Sequence, residues 1–203
     1  MHFEQSLRNA TYPPWKSHYI DYAKLKKLLR ETEIDSDGDT RQSRPDDKDG
    51  WSENDESRFV EELVNVQLDK VNKFQATTSK QLRERTSKCE NTLDILSTAG
   101  DDHGGGAAQE DATEADRRTK LKEVLKELDS ITKETHELEK FSRINFTGFL
   151  KAAKKHDRKR GETYRVRPLL QVRLAALPFN SEDYSPLLYR WVESDRDLTR
   201  SMS

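Results

Sequence analysis

From Val60 to Leu96, the apolar and small residues Val60, Val64, Leu68, Val71, Phe74, Thr78, Leu82, Cys89, Leu93 and Leu96 advance in steps of three or four. One wider step, from Leu82 to Cys89, leaves Arg85 at the skipped turn. Only an α-helix brings residues so spaced onto one stripe. The pattern predicts a helix over 58–97, roughly ten turns long. Leu121, Val124, Leu125, Leu128, Ile131, Thr135 and Leu138 keep the same phase and predict a second long helix over 117–142. Between them, residues 98–116 hold Gly104-Gly105-Gly106 and six acids with no base, the composition of a flexible linker. Two long helices joined in this way should pack antiparallel.

Composition agrees with a helical frame. The 203 residues are 32% hydrophobic and 36% charged, with a mean hydropathy of −1.05. That suits helices which bury one stripe and expose the rest. Period-two β-branched runs are missing, so an all-β fold is excluded. Cys89 has no partner for a disulfide and sits in the apolar phase, as a small buried hydrophobe would. No run approaches the ~20 apolar residues that cross a bilayer, and MHFEQSLRNATYPPW lacks the layout of a secretory signal. The segment reads as cytosolic or nuclear, and the N-x-[ST] matches at Asn9 and Asn145 carry no weight.

The remaining chain falls into short pieces. Residues 1–30 read as two short helices broken at Tyr12-Pro13-Pro14-Trp15, since proline cannot continue a helix. Residues 31–57 carry eleven acids against three bases and read as an acidic loop. Asn145 or Thr147 can cap a separate basic helix over 145–160. Residues 164–195 read as C-terminal helices, one opening at Pro168 and a last one at Tyr184. The expected fold is all-α: an N-terminal helical hairpin, two long antiparallel helices and short C-terminal helices forming a bundle with a basic pole.

That pole is KAAKKHDRKR, residues 151–160, with a local net charge of +5 in a chain whose formal net charge is −2. Lys151, Lys154, Lys155 and Arg158 fall at i, i+3, i+4 and i+7, one face of a helix. Like charges at that spacing oppose the helix by a few tenths of a kcal/mol per pair. A polyanionic ligand would give such a face a purpose, whereas most charge runs are simply solvated.

Two stretches carry a family resemblance. KFSRINFTGFLKAAKKHDR (140–158) resembles the LNxTGFxKIxKKxDK signature of SPX domains, and YIDYAKLKKLL (19–29) resembles their YIxYxxLKxxL motif. YPPWKSHYIDYAKLKKLLRE, WSENDESRFVEEL and PLLQVRLAALPFNSEDYSPLLYR, in that order, are similar to SPX domains of regulatory subunits of the fungal vacuolar transporter chaperone (VTC) complex. The resemblance covers residues 1–195 as one SPX domain. It implies a phosphate-status sensor that binds inositol polyphosphates and inositol pyrophosphates, inositol hexakisphosphate among them. It further implies that the sensor regulates polyphosphate synthesis at the cytosolic face of the vacuolar membrane. The partners implied are other subunits or domains of the VTC polymerase complex, in a membrane-attached parent protein.

Carried over by motif, Tyr22, Lys26 and Lys154 would form the central phosphate cluster, and Lys151, Lys155 and Arg158 the neighbouring basic surface. The N-termini of the first helices would add backbone N–H donors. The chain departs from the family pattern at His2 and Arg158, where lysine is usual. Lys24 and Lys27 are expected to be peripheral, and His18, His136 and His156 structural. There is no P-loop, dinucleotide turn, nucleophile elbow or zinc spacing, so the expectation is a non-enzyme with no cofactor and no metal. The alternative is a helical protein- or membrane-interaction module with a generic anion-binding basic patch. Sparse aromatic interleaving argues against nucleic acid.

Overall fold

The computed structural model describes residues 2–30, 51–98, 107–160, 165–177 and 183–184. The described residues form α1 (His2–Ala10), α2 (Tyr22–Arg30), α3 (Glu53–Val60), α4 (Asp69–Thr98), α5 (Ala107–Arg160) and α6 (Arg167–Ala176). A 3-10 helix spans Pro13–His18 and a π-helical stretch spans Glu61–Leu68. No strand occurs among the described residues, so the all-α expectation holds. Nor is any described helix long and apolar enough to cross a membrane. The last helix expected from Tyr184 and most of the two acidic excursions lie outside the described residues.

Three boundaries differ from expectation. The first long helix begins at Glu53, inside the stretch read as loop. Ser52 accepts from Asp55 N at 3.2 Å while Asp55 accepts from Ser52 N at 3.0 Å, a reciprocal capping box. Val60, Glu61 and Asp69 keep right-handed helical angles, so the helical backbone continues through the π stretch into α4. The second long helix also starts earlier, at Ala107, within the expected linker.

The third difference is the largest. No break separates a basic helix at 145–160, because α5 runs unbroken for 54 residues to Arg160. Among its buried positions, Val124, Leu128, Ile131, Thr135, Leu138, Ser142, Asn145, Phe149, Ala152 and His156 alternate steps of four and three. That is the spacing of one continuous helical seam. Asn145 and Thr147 do not cap a helix start. Asn145 Nδ2 donates to Phe141 O at 2.7 Å and Thr147 Oγ1 donates to Arg143 O at 2.9 Å, both within the helix. Leu125, expected in the stripe, is 38% exposed.

The chain divides into two compact units, Met1–Ala76 with Lys140–Glu182, and Thr77–Glu139 with Asp183–Ser203. In the second unit the buried stripe of α4 passes through Leu82, Thr86 and Cys89. Thr86 fills the step that looked skipped, and Arg85 beside it spans to Glu127 at 2.7 Å and Glu134 at 2.9 Å on α5. In the first unit the long helices run antiparallel, with Phe74 against Phe141 and Glu56 against His156. An aromatic cluster packs there: Trp15 of the 3-10 helix is edge-on to Phe74 and Phe141, buried Tyr19 is edge-on to Phe141, and His18 stacks on Phe74.

Candidate functional site

The basic pole belongs to the first unit, where α1 and α2 meet the end of α5. The chain between α1 and α2 is fixed to α5 by two contacts that the sequence motif encodes. Buried Asn145 accepts Ile20 N at 2.8 Å, satisfying a backbone donor that would otherwise be orphaned. One turn on, a Cβ added at Gly148 would stand 2.9 Å from Ile20 Cγ2 and 3.3 Å from Phe3 Cζ. Glycine at 148 therefore allows the close approach of Ile20 and Phe3 to α5. Burial of Asn145 also rules out its use as a glycosylation acceptor in the folded chain.

Helix α2 is set from a different side. Asp21 Oδ1 accepts Lys24 N at 2.9 Å, the bond of an N-cap. Asp21 N in turn donates to Gln67 Oε1 at 2.8 Å, and Gln67 Nε2 donates to Glu62 at 2.7 Å. Glu62 and Gln67 are five apart, neighbours in a π-helical turn. Glu62 also takes Lys24 Nζ at 2.7 Å, which commits Lys24 to a structural pair. At its far end α2 receives Lys159 of α5, whose Nζ donates to Leu29 O at 3.1 Å. Cations suit that position, the negative end of the helix dipole.

These anchors bring together several of the residues carried over by motif. Tyr22 is half-buried, its ring edge-on to Phe3 at 4.9 Å. Lys151 Nζ sits 5.3 Å from the centre of the same Phe3 ring, within cation–π range. Phe3 thus links α2 to the basic face of α5. Burial raises the pKa of the Tyr22 hydroxyl, the Glu4 carboxylate raises it further, and Arg158 works in the opposite direction. Tyr22, Glu4 and Arg158 therefore share one electrostatic neighbourhood. Lys154 is exposed on the face between Lys151 and Arg158, with no acidic partner among the described residues, while Lys155 is half-buried.

Lys26 is not a bare cation. Its Nζ lies 2.9 Å from Glu4 Oε1 in α1, and the two side chains are only 20% and 28% exposed. The hydrogen bond from Lys26 lowers the Glu4 carboxyl below its usual range, against the opposing effect of burial. The sequence motifs assign neither Phe3 nor Glu4 to the site. The His2 side chain lies outside the described residues.

The rest of the decapeptide holds the pole in place. His156 is fully buried, stacked on Phe59 at 4.7 Å, with Nε2 2.8 Å from Glu56 and Nδ1 3.1 Å from Asp157. Asp157 accepts Val166 N at 2.9 Å and Arg167 N at 3.1 Å, capping α6 from ten residues away. Arg160 lies 3.4 Å over the Trp51 ring, and Trp51 Nε1 donates to Glu56 at 3.0 Å. The structural reading of His156 thus agrees with its surroundings. Three of the chemically conspicuous residues in this run are consumed by the fold.

No family model matches the chain. It is 42% identical over 190 residues to vacuolar transporter chaperone complex subunit 2 of Saccharomyces cerevisiae, covering 94% of this chain and 20% of that protein. It is 33% identical over 190 residues to vacuolar transporter chaperone complex subunit 4 of Schizosaccharomyces pombe, covering 94% of this chain and 23% of that one. SPX domain-containing protein 1 of Arabidopsis thaliana is 25% identical over 209 residues, covering 98% of this chain and 70% of the plant protein. The chain spans about a fifth of the length of the chaperone-complex subunits it matches. With both sequence motifs joined at one pole of an all-helical fold, and with similarity along 94% of its length, the chain belongs to the SPX-domain family, close to the SPX domains of the VTC subunits.

Proposed function

We propose that this chain is a phosphate-status sensor that binds inositol polyphosphates and pyrophosphates at the pole formed by α2 and the end of α5. In a longer, membrane-attached parent protein it regulates polyphosphate synthesis by a vacuolar transporter chaperone complex at the cytosolic face of the vacuole. The observation that carries this reading is the convergence of Tyr22 and Lys151 on Phe3, with the charge of Arg158 acting on the Tyr22 hydroxyl. Polar groups of α2 near cations of α5 support the reading. Lysines there act as compact point charges, suited to a ligand that carries many phosphates and can engage several cations at once. The module acts by binding rather than by catalysis. A ligand changes the state of the parent protein only through different affinities for its two states.

Isothermal titration with inositol hexakisphosphate at physiological ionic strength tests the reading. Saturable binding, weakened roughly tenfold or more by Lys154→Ala, is expected from the loss of one charge-assisted contact. Heparin or anionic vesicles matching inositol hexakisphosphate charge for charge, with no effect of Lys154→Ala, would instead make the pole a generic anion-docking surface.

A further inference from the structure

We propose that Glu4 is a resident counter-ion of the phosphate site, a residue that sets its affinity because a ligand phosphate must displace the Glu4 carboxylate from Lys26. The inference rests on the sensor reading above and deepens it. Lys26, one of the residues assigned to the pole, already holds a carboxylate at hydrogen-bond distance, 2.9 Å. Lys154 has no such partner among the described residues. The acid comes from α1, 22 residues away in sequence, so only the packing of α1 on α2 brings it there. Its charge also acts on the hydroxyl of Tyr22, the other α2 residue assigned to phosphate.

A carboxylate in a cation site acts on ligands in a graded way. A ligand with one phosphate gains at Lys26 about what the Glu4 pair gives up, since both are single charge-assisted contacts. A ligand that also engages Lys154 and Arg158 offsets the displacement with contacts Glu4 does not contest. Glu4 therefore biases the pole toward polyphosphorylated ligands and away from inorganic phosphate. A simpler role exists, in which Glu4 only ties α1 to α2 and favours the first turn of α1 through its dipole. That role predicts that removing the charge weakens the fold and leaves affinity unchanged or lower.

The experiment is a double-mutant cycle read by titration with inositol hexakisphosphate, using wild type, Glu4→Gln, Lys26→Ala and the double variant, each checked for helicity. Glu4→Gln is expected to bind about two- to threefold tighter, the scale of one partly exposed ion pair. The gain should disappear in the Lys26→Ala background. Inorganic phosphate should compete more effectively against Glu4→Gln than against wild type. If Glu4→Gln binds no tighter than a wild type that does bind, the inference is overturned and the sensor reading stands. A gain that persists undiminished without Lys26 also overturns it, since Glu4 would then act by general repulsion. Absence of saturable binding to wild type removes the sensor reading, and this inference with it.

Discussion

Toward the core, the last turns of α5 present Ala152, Ala153 and His156, all at 2% exposure or less. Toward solvent, the same turns present Lys151, Lys154 and Arg158. The inner face is saturated: His156 has a carboxylate at each ring nitrogen and an aromatic ring on its face. The outer face keeps its charge in water, with Lys154 lacking an acidic partner among the described residues. Between the two lie Lys159 and Arg160, basic like the outer face but spent on a helix end and an indole. Charge alone therefore does not assign a role within this run. What separates structural from ligand-directed cations is whether a neighbouring element already supplies the partner.

The sharpest way to break that contrast is to truncate the inner face. His156→Ala removes two contacts to carboxylates and a ring stack, leaving half-buried Glu56 and Asp157 with one partner fewer each. A loss of about 3 kcal/mol is expected, read as a lower urea midpoint, whereas Lys154→Ala should change stability by less than about 0.5 kcal/mol. Equal losses from the two variants would mean that the outer face is also structural.

Gly148→Ala probes the joint between the faces. Helix propensity favours alanine by about 1 kcal/mol, but the new Cβ meets the branched methyl of Ile20, itself 3% exposed. Overpacking of this kind costs about 1–3 kcal/mol, so a net loss near 1 kcal/mol is expected in thermal unfolding. Faster amide exchange in α1 should accompany it. A stabilised variant would show that Ile20 yields freely and that the approach is not tight.

The smallest effect belongs to the Glu4–Lys26 pair. Its folded carboxyl titrates below the ordinary range, so the pair stabilises the fold above the unfolded carboxyl's range. That contribution is lost as pH falls through the lower folded value. Partial exposure limits it to a few tenths of a kcal/mol. Denaturation of wild type and Glu4→Gln should differ by that amount at neutral pH and converge in acid. A difference that survives in acid would assign it to something other than charge.

The long helices, the basic pole and the SPX motifs were legible because periodicity and local charge are properties of neighbouring residues. The capping box at Ser52 and Asp55 was equally local but lay hidden inside an acidic run read by composition. The seam through Ser142 and Asn145 was also readable, had polar residues been admitted to the repeat. Asn145 looked like a helix start because asparagine favours caps. Only the folded chain shows that it serves Ile20, 125 residues away.

By itself, the sequence determined the helical class, the cationic face at Lys151, Lys154 and Arg158, and the family to which those motifs point. Tertiary structure decided which charges are already neutralised. Glu4 meets Lys26 across 22 residues, and Asp157 reaches the start of α6 across ten. Helical periodicity places residues around one axis, but ion pairing depends on which axes lie side by side, and that is set by packing.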